Sequence, residues 1–378
     1  MQNILDMHQP DPKIDDYLER VYRISKSFST KRSYKVSLNK FKAFLSTIGK
    51  NLPEILQDLK NKEKDPIMLL DEYYSYLSKE NMRNSTIGSY ISVAKDFLNF
   101  HGMHIYSEDL KQRFRIPKRE VFYEEGLTKE ILSRLLHNSS PKLQVAIFIT
   151  STSGIRIGEL AQLRLSDIDF TTNPTTIRIR RETTKTRETR FTHITTETSK
   201  VLSDYITKKL SQLKSPDPYL FMYFDGDFGS YAYHKSMFAA RQTLMEKLRN
   251  TISGIPELAM KNENGGYQIH FHAFRKWFKT QVTNAEQSDF AEALMGHKSI
   301  KLVYYKQSTQ DRLRMYKKIE PYLTISDFSR VEKTMEEMQE KLDYFETELE
   351  KVKQYREITV KYKKRTRSPN IDVTTGLK

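Results

Sequence analysis

The stretch STSGIRIGELAQLRLSDIDF, residues 151–170, places Gly154, Ile155 and Arg156 at the beginning of a helix with periodic apolar residues. The first turn of a helix carries unpaired amide groups and a partial positive charge, so Asp or Glu stabilises it and Arg does not. An anion that binds from outside would resolve this conflict. We expect the helix to end before Ser166.

The charge of the chain indicates an acidic partner. The 378 residues include 63 Lys and Arg against 48 Asp and Glu, for a net charge of +15 and a pI near 9.5. This balance favours a polyanion such as nucleic acid, or an acidic membrane surface. The length accommodates two ordinary domains and a tail.

Cysteine is absent, which excludes disulfides, thiolate chemistry and thiolate zinc sites. Residues 1–20 lack the basic segment and apolar core of a signal peptide, and no run of about 18 apolar residues occurs. We therefore expect a soluble, cytoplasmic protein that does not enter a membrane.

The amino-terminal part of the chain is predicted to form an α-helical domain. Four segments between Lys13 and His101 place apolar residues three and four apart. A polar, basic stretch interrupted by Pro117 and Gly126 follows, which is typical of a linker. We assign residues 1–118 to this domain and its linker.

Residues 119–325 are predicted to form a second domain. Between Thr175 and Thr195, β-branched and charged residues alternate, which indicates two or three short strands with a turn around Lys185 to Glu188. Helical periodicity returns after the strands. The expected fold class is mainly α with a small β-sheet.

Residues 326–378 combine a heptad pattern with a basic end. Apolar residues recur at alternating spacings of four and three, as in a coiled-coil seam: Val331, Met335, Met338, Leu342, Phe345, Leu349 and Val352. Three heptads are near the lower limit for an independent coiled coil. The helix either packs on its parent domain or pairs with a second chain or an accessory protein.

Two short motifs stand further along the second domain. His272 and Arg275 form H-x-x-R, and about twenty residues later Gly296 and His297 form G-H. Each motif by itself is common in basic proteins. His270 lies two residues before His272, but no thiolate or third ligand accompanies the pair, so we predict no metal site and no cofactor.

Taken in order, these motifs resemble the tyrosine recombinase/integrase family, in its phage-integrase-like and Xer-like members of archaeal or mobile-element type. The ordered set is S-G-I-R-I-G-E-L from Ser153, a lysine in a β-turn, H-x-F-R, G-H and then a tyrosine. The resemblance covers residues 120–325. It implies a catalytic domain there, preceded by a core-binding domain that contacts DNA.

The resemblance also implies a role for each motif residue. Arg156 and Arg275 would grip the scissile phosphate, a task that suits guanidinium groups because they bind bidentately and stay charged. His272 and His297 would donate hydrogen bonds to this phosphate or help move the proton of the nucleophile. Lys185 would be the general acid on the leaving 5′-oxygen. Neighbouring arginines are expected to contact backbone phosphates or solvent, and one of them is the alternative acid: Arg180, Arg181, Arg187 and Arg190.

The nucleophile has three candidates, Tyr304, Tyr305 and Tyr316. A phenol has a pKa near 10 and attacks only after deprotonation in a cationic pocket. Relatives often place the tyrosine further from the G-H histidine, whereas Tyr304 and Tyr305 follow His297 by seven and eight residues. We choose Tyr304, because YYKQ resembles the family's tyrosine, any residue, basic residue; Tyr305 is the close rival. Tyr316 is expected to pack on an apolar face.

The implied function is site-specific DNA recombination. Such an enzyme cleaves and rejoins double-stranded DNA through a 3′-phosphotyrosyl intermediate, as a homo-tetramer on paired sites, without ATP or metal. One alternative is a non-catalytic DNA-binding protein of the same fold, which the shortened spacing to the tyrosine favours. The other is a type IB topoisomerase that relaxes DNA as a monomer. Target sequence and biological use, from integration to chromosome dimer resolution, stay open.

Overall fold

The structure is a computed structural model of the chain. It describes residues 12–80, 82–115, 117, 126–210, 215, 217–262, 265–297, 307–326, 341–354 and 356. The chain folds into two compact units, residues 1–123 and 124–378. The domain boundary predicted after Lys118 lies outside the described residues.

The first unit is helical wherever the structure describes secondary structure in it. Its helices are α1 (Pro12–Ser25), α2 (Phe28–Thr47), α3 (Leu52–Lys60), α4 (Pro66–Ser78), α5 (Asn84–Phe100) and α6 (Ser107–Arg113). Polar caps set their starts: Ser27 accepts the Thr30 amide, and Asn51 and Glu54 form a reciprocal capping box. The apolar faces meet in one core with an aromatic centre, formed by Tyr17, Phe41, Phe44, Tyr73 and Phe97.

The second unit also consists mainly of helices. Those described up to Leu323 are α7 (Lys129–His137), α8 (Pro141–Ser153), α9 (Ile157–Leu160), α10 (Thr196–Leu210), α11 (Tyr231–Ser253), α12 (Phe271–Asn284), α13 (Ser288–Met295) and α14 (Thr309–Leu323). Single turns of 3-10 helix occur at Leu165–Asp167, Arg181–Thr183 and Pro256–Leu258. Together with the small sheet, these elements confirm the predicted fold class.

The described strands form one antiparallel sheet in the order β1 (Ile168–Asp169), β2 (Thr175–Ile179), β3 (Arg190–Ile194). Ile177 in the central strand lies opposite Ile168 on one side and Thr192 on the other. All three side chains are buried, because this face of the sheet packs on the core. The turn between β2 and β3 contains Lys185, where the alternating pattern predicts it.

Helix α8 lies in the core of the second unit. Every side chain from Val145 to Ser153 is buried, so the helix is covered on all sides. It packs against α10, α12 and β3. Three of its hydroxyls, those of Thr150, Thr152 and Ser153, donate to carbonyls of the preceding turn, as Thr150 does to Ala146 at 2.7 Å. The end of α8 is therefore a rigid base for the residues that follow it.

The helix that begins after Arg156 is shorter than its apolar pattern predicts. Helix α9 ends at Leu160 because the residues after it pair with a distant segment. The Leu220 amide donates to the Leu163 carbonyl at 2.9 Å, and the Leu165 amide donates to the Pro218 carbonyl at 3.0 Å. A local pattern does not reveal such long-range pairing, so the expectation that the helix continues to Leu165 is wrong.

The carboxy-terminal heptad pattern is helical where the structure describes it. Residues 341–354 form a helix, and its four seam residues are 55–64% exposed: Leu342, Phe345, Leu349 and Val352. The seam residues Val331, Met335 and Met338 lie outside the described part. Among the helices that are described, none is long and apolar enough to cross a membrane.

Candidate active site

Gly154 ends α8 and directs the chain toward Arg156. Its φ of 63° lies in the left-handed region, which a residue without a Cβ adopts at low cost. A Cβ here would lie 2.5 Å from Phe278 Cδ1 and 2.9 Å from Met295 Cγ. Both the backbone turn and the close approach of α12 and α13 therefore require glycine.

The conflict between Arg156 and the helix dipole is resolved inside the protein. Glu159, in the first turn of α9, accepts the Arg156 amide at 2.9 Å and Arg156 Nη1 at 3.1 Å. It also accepts two hydrogen bonds from Arg190 of β3, at 3.0 and 2.6 Å. Burial by itself would raise the pKa of Glu159, but these two arginines outweigh burial and lower it. The helix start therefore needs no external anion, and 29% of the Arg156 side chain stays exposed.

Arg275 of α12 is a buried cation that bonds to no carboxylate among the described residues. Its side chain donates to the carbonyl of Gly154 and, at 2.9 Å, to the carbonyl of Met295. Arg156 Nη1 lies 3.4 Å from the same Met295 carbonyl. Burial and repulsion by Arg156 lower the pKa of Arg275 to about 9, which leaves it charged at neutral pH. Since a buried charge is costly without an opposite charge, the site favours an anion beside Arg275.

Gly296 and His297 follow α13 in a left-handed cap. Gly296 has a φ of 67°, and a Cβ there would lie 2.8 Å from Arg190 Cδ. The cap places His297 Nε2 2.9 Å from Arg275 Nη2, while Nδ1 bonds to the carboxylate of Glu292. The His297 side chain is 37% exposed. His297 therefore lies between the buried guanidinium of Arg275 and the solvent.

His272 and Lys185 lie on the surface. His272 is exposed in the first turn of α12, one turn before Arg275, with its ring 6.3 Å from the ring of His270. Lys185 is exposed in the turn between β2 and β3. Both side chains are accessible to a ligand. In the described part of the chain, no three His, Cys, Asp or Glu side chains are arranged to hold a metal ion.

The tyrosines divide into two groups. Tyr304 and Tyr305 lie outside the described residues. Tyr316 of α14 is completely buried: its hydroxyl donates to the Thr152 carbonyl at 2.6 Å and its ring packs against His193. Burial raises the pKa of Tyr316 well above its ordinary value. A phenol in this environment does not reach a phosphate, so Tyr316 is a packing residue.

Two arginines have partners that sequence reasoning missed. The prediction that Arg180 and Arg190 contact phosphate or solvent is wrong, because both are largely buried in ion pairs. Arg180 Nε lies 3.1 Å from Asp167, and Arg190 pairs with Glu159. The signal that would have found Glu159 is its position three residues after Arg156, where a carboxylate caps a helix start.

The charges in this cluster do not balance. Arg156 and Arg190 bond to the carboxylate of Glu159, and Arg275 lies near it; the other nearby carboxylate, Glu292, bonds to His297 and Lys279. Arg156 and Arg190 share the one negative charge of Glu159, and Arg275 bonds to no carboxylate of a described residue, so positive charge is in excess where Arg156 and Arg275 meet. Two adjacent guanidinium groups can hold a phosphodiester and the charge added to it during substitution at phosphorus.

Comparison with known proteins identifies the family of the chain. Residues 125–312 match the model of the phage integrase family. The chain belongs to this family, the tyrosine recombinases. A tyrosine recombinase of Thermosipho africanus is 26% identical to the chain over 319 residues, which cover 80% of this chain and 97% of that protein.

Two further relatives agree with this assignment. A Sinorhizobium fredii protein described as an integrase/recombinase is 31% identical over 159 residues, 42% of this chain and 33% of that protein. A crystal structure of a lambda integrase fragment bound to DNA matches with a TM-score of 0.51 at 15% identity, over 80% of this chain and 94% of that chain. This second likeness shows the shared fold. The recombinase thus belongs to a family of enzymes that cleave and rejoin DNA in site-specific recombination.

Proposed function

We propose that the recombinase holds the scissile phosphate of double-stranded DNA with Arg156 and Arg275. The observation that carries this proposal is the environment of Arg275, which is 2% exposed and bonded to two backbone carbonyls. Carbonyl oxygens supply only partial negative charge, and a phosphate oxygen supplies the rest. Arg156 and Arg275 both donate to the Met295 carbonyl, so their guanidinium groups are adjacent. One phosphate can therefore accept hydrogen bonds from both.

His297, His272 and Lys185 complete the proposed site. His297 contacts the Arg275 guanidinium directly and is open to the surface on its other side. His272 lies one turn before Arg275 on α12, and its exposed ring is a second donor to the phosphate. Lys185 stands on an exposed turn, from which a long side chain reaches the leaving 5′-oxygen and protonates it.

The proposed reaction is a pair of transesterifications. The phenolate of Tyr304, or of its rival Tyr305, attacks phosphorus and forms a 3′-phosphotyrosyl ester. The bond to the 5′-oxygen breaks, and that oxygen takes its proton from Lys185. A free 5′-hydroxyl from another strand then attacks the ester and releases the tyrosine. One ester replaces another at each step, so neither ATP nor a metal is required.

Covalent trapping on a nicked suicide substrate tests this function. The substrate carries a site selected for binding from random duplexes. We expect the wild type to form a covalent adduct that one of Tyr304→Phe and Tyr305→Phe abolishes, while Tyr316→Phe retains it. Arg275→Lys should lower the adduct rate by about 100-fold, since it removes a planar donor from the transition state.

Two outcomes of the trapping experiment would contradict the proposal. A wild type that binds its selected site but forms no adduct is the non-catalytic DNA-binding protein. An adduct that forms without strand exchange, accompanied by relaxation of supercoiled plasmid by the monomer, indicates the topoisomerase instead.

The basic charge of the whole chain supports binding to DNA beyond the site itself. We infer that residues 1–118 form a DNA-binding domain and that the enzyme acts on DNA in the cytoplasm. Binding should weaken steeply with salt, because neutralised phosphates release counterions. An affinity that does not depend on salt concentration would contradict this inference.

The exposed heptad helix supports association of protomers. Leu342 and Leu349 occupy the a positions and Phe345 and Val352 the d positions, and all four are more than half exposed in the chain alone. A continuous seam of large apolar side chains is stabilised when a second helix covers it. We infer that the second helix comes from another copy of the recombinase in a homo-tetramer on paired DNA sites.

The charges beside the seam favour a second copy over an accessory protein. In a parallel, in-register pair, Lys341 at g faces the partner subunit's Glu346 at e, and Glu348 at g faces the partner subunit's Lys353 at e. Each pair is attractive and occurs twice by symmetry. The helix is therefore complementary to itself.

Sedimentation of the full chain measures this association. Leu342→Asp with Leu349→Asp should reduce the mass of the wild-type assembly, because charges would enter the seam. The matched control is Thr347→Asp, which places the same charge at the outward f position and should leave the mass unchanged. A wild type that sediments as a monomer, free and on DNA, would contradict self-association.

A further inference from the structure

The carboxylate of Glu292 bonds to the Nδ1 atom of His297, whereas the other ring nitrogen, Nε2, contacts Arg275. The His297 amide donates to the Glu292 carbonyl at 3.1 Å and the Gly296 amide donates to the Ala293 carbonyl at 3.1 Å, the two bonds of a Schellman cap. This cap turns the imidazole back toward α13, where Nδ1 bonds to the Glu292 carboxylate. Glu292 therefore holds His297 through both its backbone and its side chain.

The two ring nitrogens of His297 have different partners. A guanidinium can only donate, so Arg275 Nη2, 2.9 Å from Nε2, donates and Nε2 accepts. The proton of the neutral ring is therefore on Nδ1, which donates to Glu292. In this state Nε2 cannot donate to a phosphate oxygen.

Charges of both signs face His297 among the described residues. Burial lowers the pKa of His297, Glu292 raises it, Arg275 and Arg156 lower it, and the net effect is a lowering. The other oxygen of Glu292 bonds to Lys279 of α12. Arg275 and Arg156 thus disfavour a proton on His297, and a phosphate bound to these two arginines would neutralise their charge. Glu292, which attracts that proton, would stay in place.

We propose that Glu292 is a positioning residue that makes His297 a cationic hydrogen-bond donor when DNA binds. The proposal rests on the proposed function, because it takes the phosphate to lie at Arg156 and Arg275. The phosphate accepts the hydrogen bond from Arg275 Nη2, which frees the lone pair of Nε2. Nε2 takes a proton from solvent, Nδ1 keeps its bond to Glu292, and Nε2–H donates to a phosphate oxygen.

This arrangement matches the charge that develops in the reaction. The phosphodiester carries one negative charge, and the five-coordinate transition state carries an additional one. A cationic donor strengthens as that charge grows, whereas a neutral imidazole with a bare Nε2 would repel it. Among the described residues the Glu292 carboxylate bonds to His297 and Lys279, so its effect on the phosphate passes through His297.

An NMR titration of ¹⁵N-labelled histidine tests the positioning without DNA, with His297 assigned by its loss in His297→Gln. We expect the free protein to carry the proton of neutral His297 on Nδ1. In Glu292→Gln the amide keeps an acceptor but loses the charge, so the pKa of His297 should fall by about one unit. Lys279→Met is the matched control, because it removes the other partner of Glu292, and it should keep the Nδ1–H tautomer.

Either of two NMR results would overturn the proposal. The first is a proton on Nε2 in the free wild type. The second is an unchanged His297 pKa in Glu292→Gln, since Glu292 would then exert no electrostatic effect on the ring.

The pH dependence of adduct formation tests the consequence for catalysis. In Glu292→Gln the fall in rate on the alkaline side should begin about one pH unit lower than in the wild type, a loss of about tenfold above that pH. In the His297→Gln background, Glu292→Gln should have no further effect, because it acts through His297. A loss that is equal at every pH indicates a merely structural role and overturns the proposal. Absence of any wild-type adduct overturns the proposed function instead, while the NMR titration decides the positioning of His297 separately.

Discussion

Alanine at Gly154 should both destabilise the second unit and disturb its phosphate site. An L residue at φ 63° costs about 1–2 kcal/mol. The new Cβ would also lie 2.5 Å from Phe278 Cδ1, and overpacking of this kind costs about 1–3 kcal/mol. We therefore expect Gly154→Ala to lower the free energy of unfolding by about 2–5 kcal/mol.

The chain provides its own probe for this measurement. Trp277 is the single tryptophan, and it is buried on α12 beside Phe278. Its fluorescence during urea denaturation therefore reports on the second unit alone. Gly229→Ala is the matched control, because Gly229 in the same unit has φ 81° and open space around an added Cβ. The control carries only the backbone cost of about 1–2 kcal/mol.

The comparison of the two variants decides whether the packing argument holds. If Gly154→Ala is no less stable than Gly229→Ala, the contact with Phe278 relaxes without cost and the reasoning is refuted. Gly154 also accepts a hydrogen bond from Arg275. Folded Gly154→Ala should therefore form the DNA adduct more slowly, while Gly229→Ala should form it at the wild-type rate.

Two further predictions concern the core behind the site. Tyr316→Phe removes the donor to the buried Thr152 carbonyl, so it should lower the free energy of unfolding in urea by about 1–3 kcal/mol. The DNA adduct should persist. Loss of the adduct in a stably folded variant would show that Tyr316 takes part in the chemistry. Burial lowers the pKa of His193 to about 4, below its ordinary value of 6.5. Folding therefore favours the neutral ring, so the contribution of His193 to the free energy of unfolding is complete above pH 6.5. That contribution is lost as the pH falls through about 4, by up to about 3 kcal/mol. His193→Leu should flatten this pH dependence of the urea midpoint, and an unchanged slope would rule out His193 as its source.

Local patterns determined the elements and the family of this protein. Periodicity over α1, α2, α4 and α5 and the alternation around Lys185 depend on neighbours in the chain, so these elements are visible in the sequence and the structure confirms their class. The ordered motifs around Arg156, Arg275 and His297 identify the tyrosine recombinases without any coordinates. Tyr304 as the nucleophile stays a prediction that the trapping experiment decides.

Tertiary structure decided which arginines are buried in their ion pairs and which stay accessible. Arg156 and Arg190 both pair with Glu159, yet Arg190, 31 positions away, binds both carboxylate oxygens and is 10% exposed, whereas 29% of the Arg156 side chain stays exposed. Arg275 meets the Gly154 carbonyl across 121 positions, because α8 and α12 pack together. Ion pairs and buried charges depend on distances between elements, which composition and periodicity do not contain. The excess positive charge that marks the site exists only after the helices have packed.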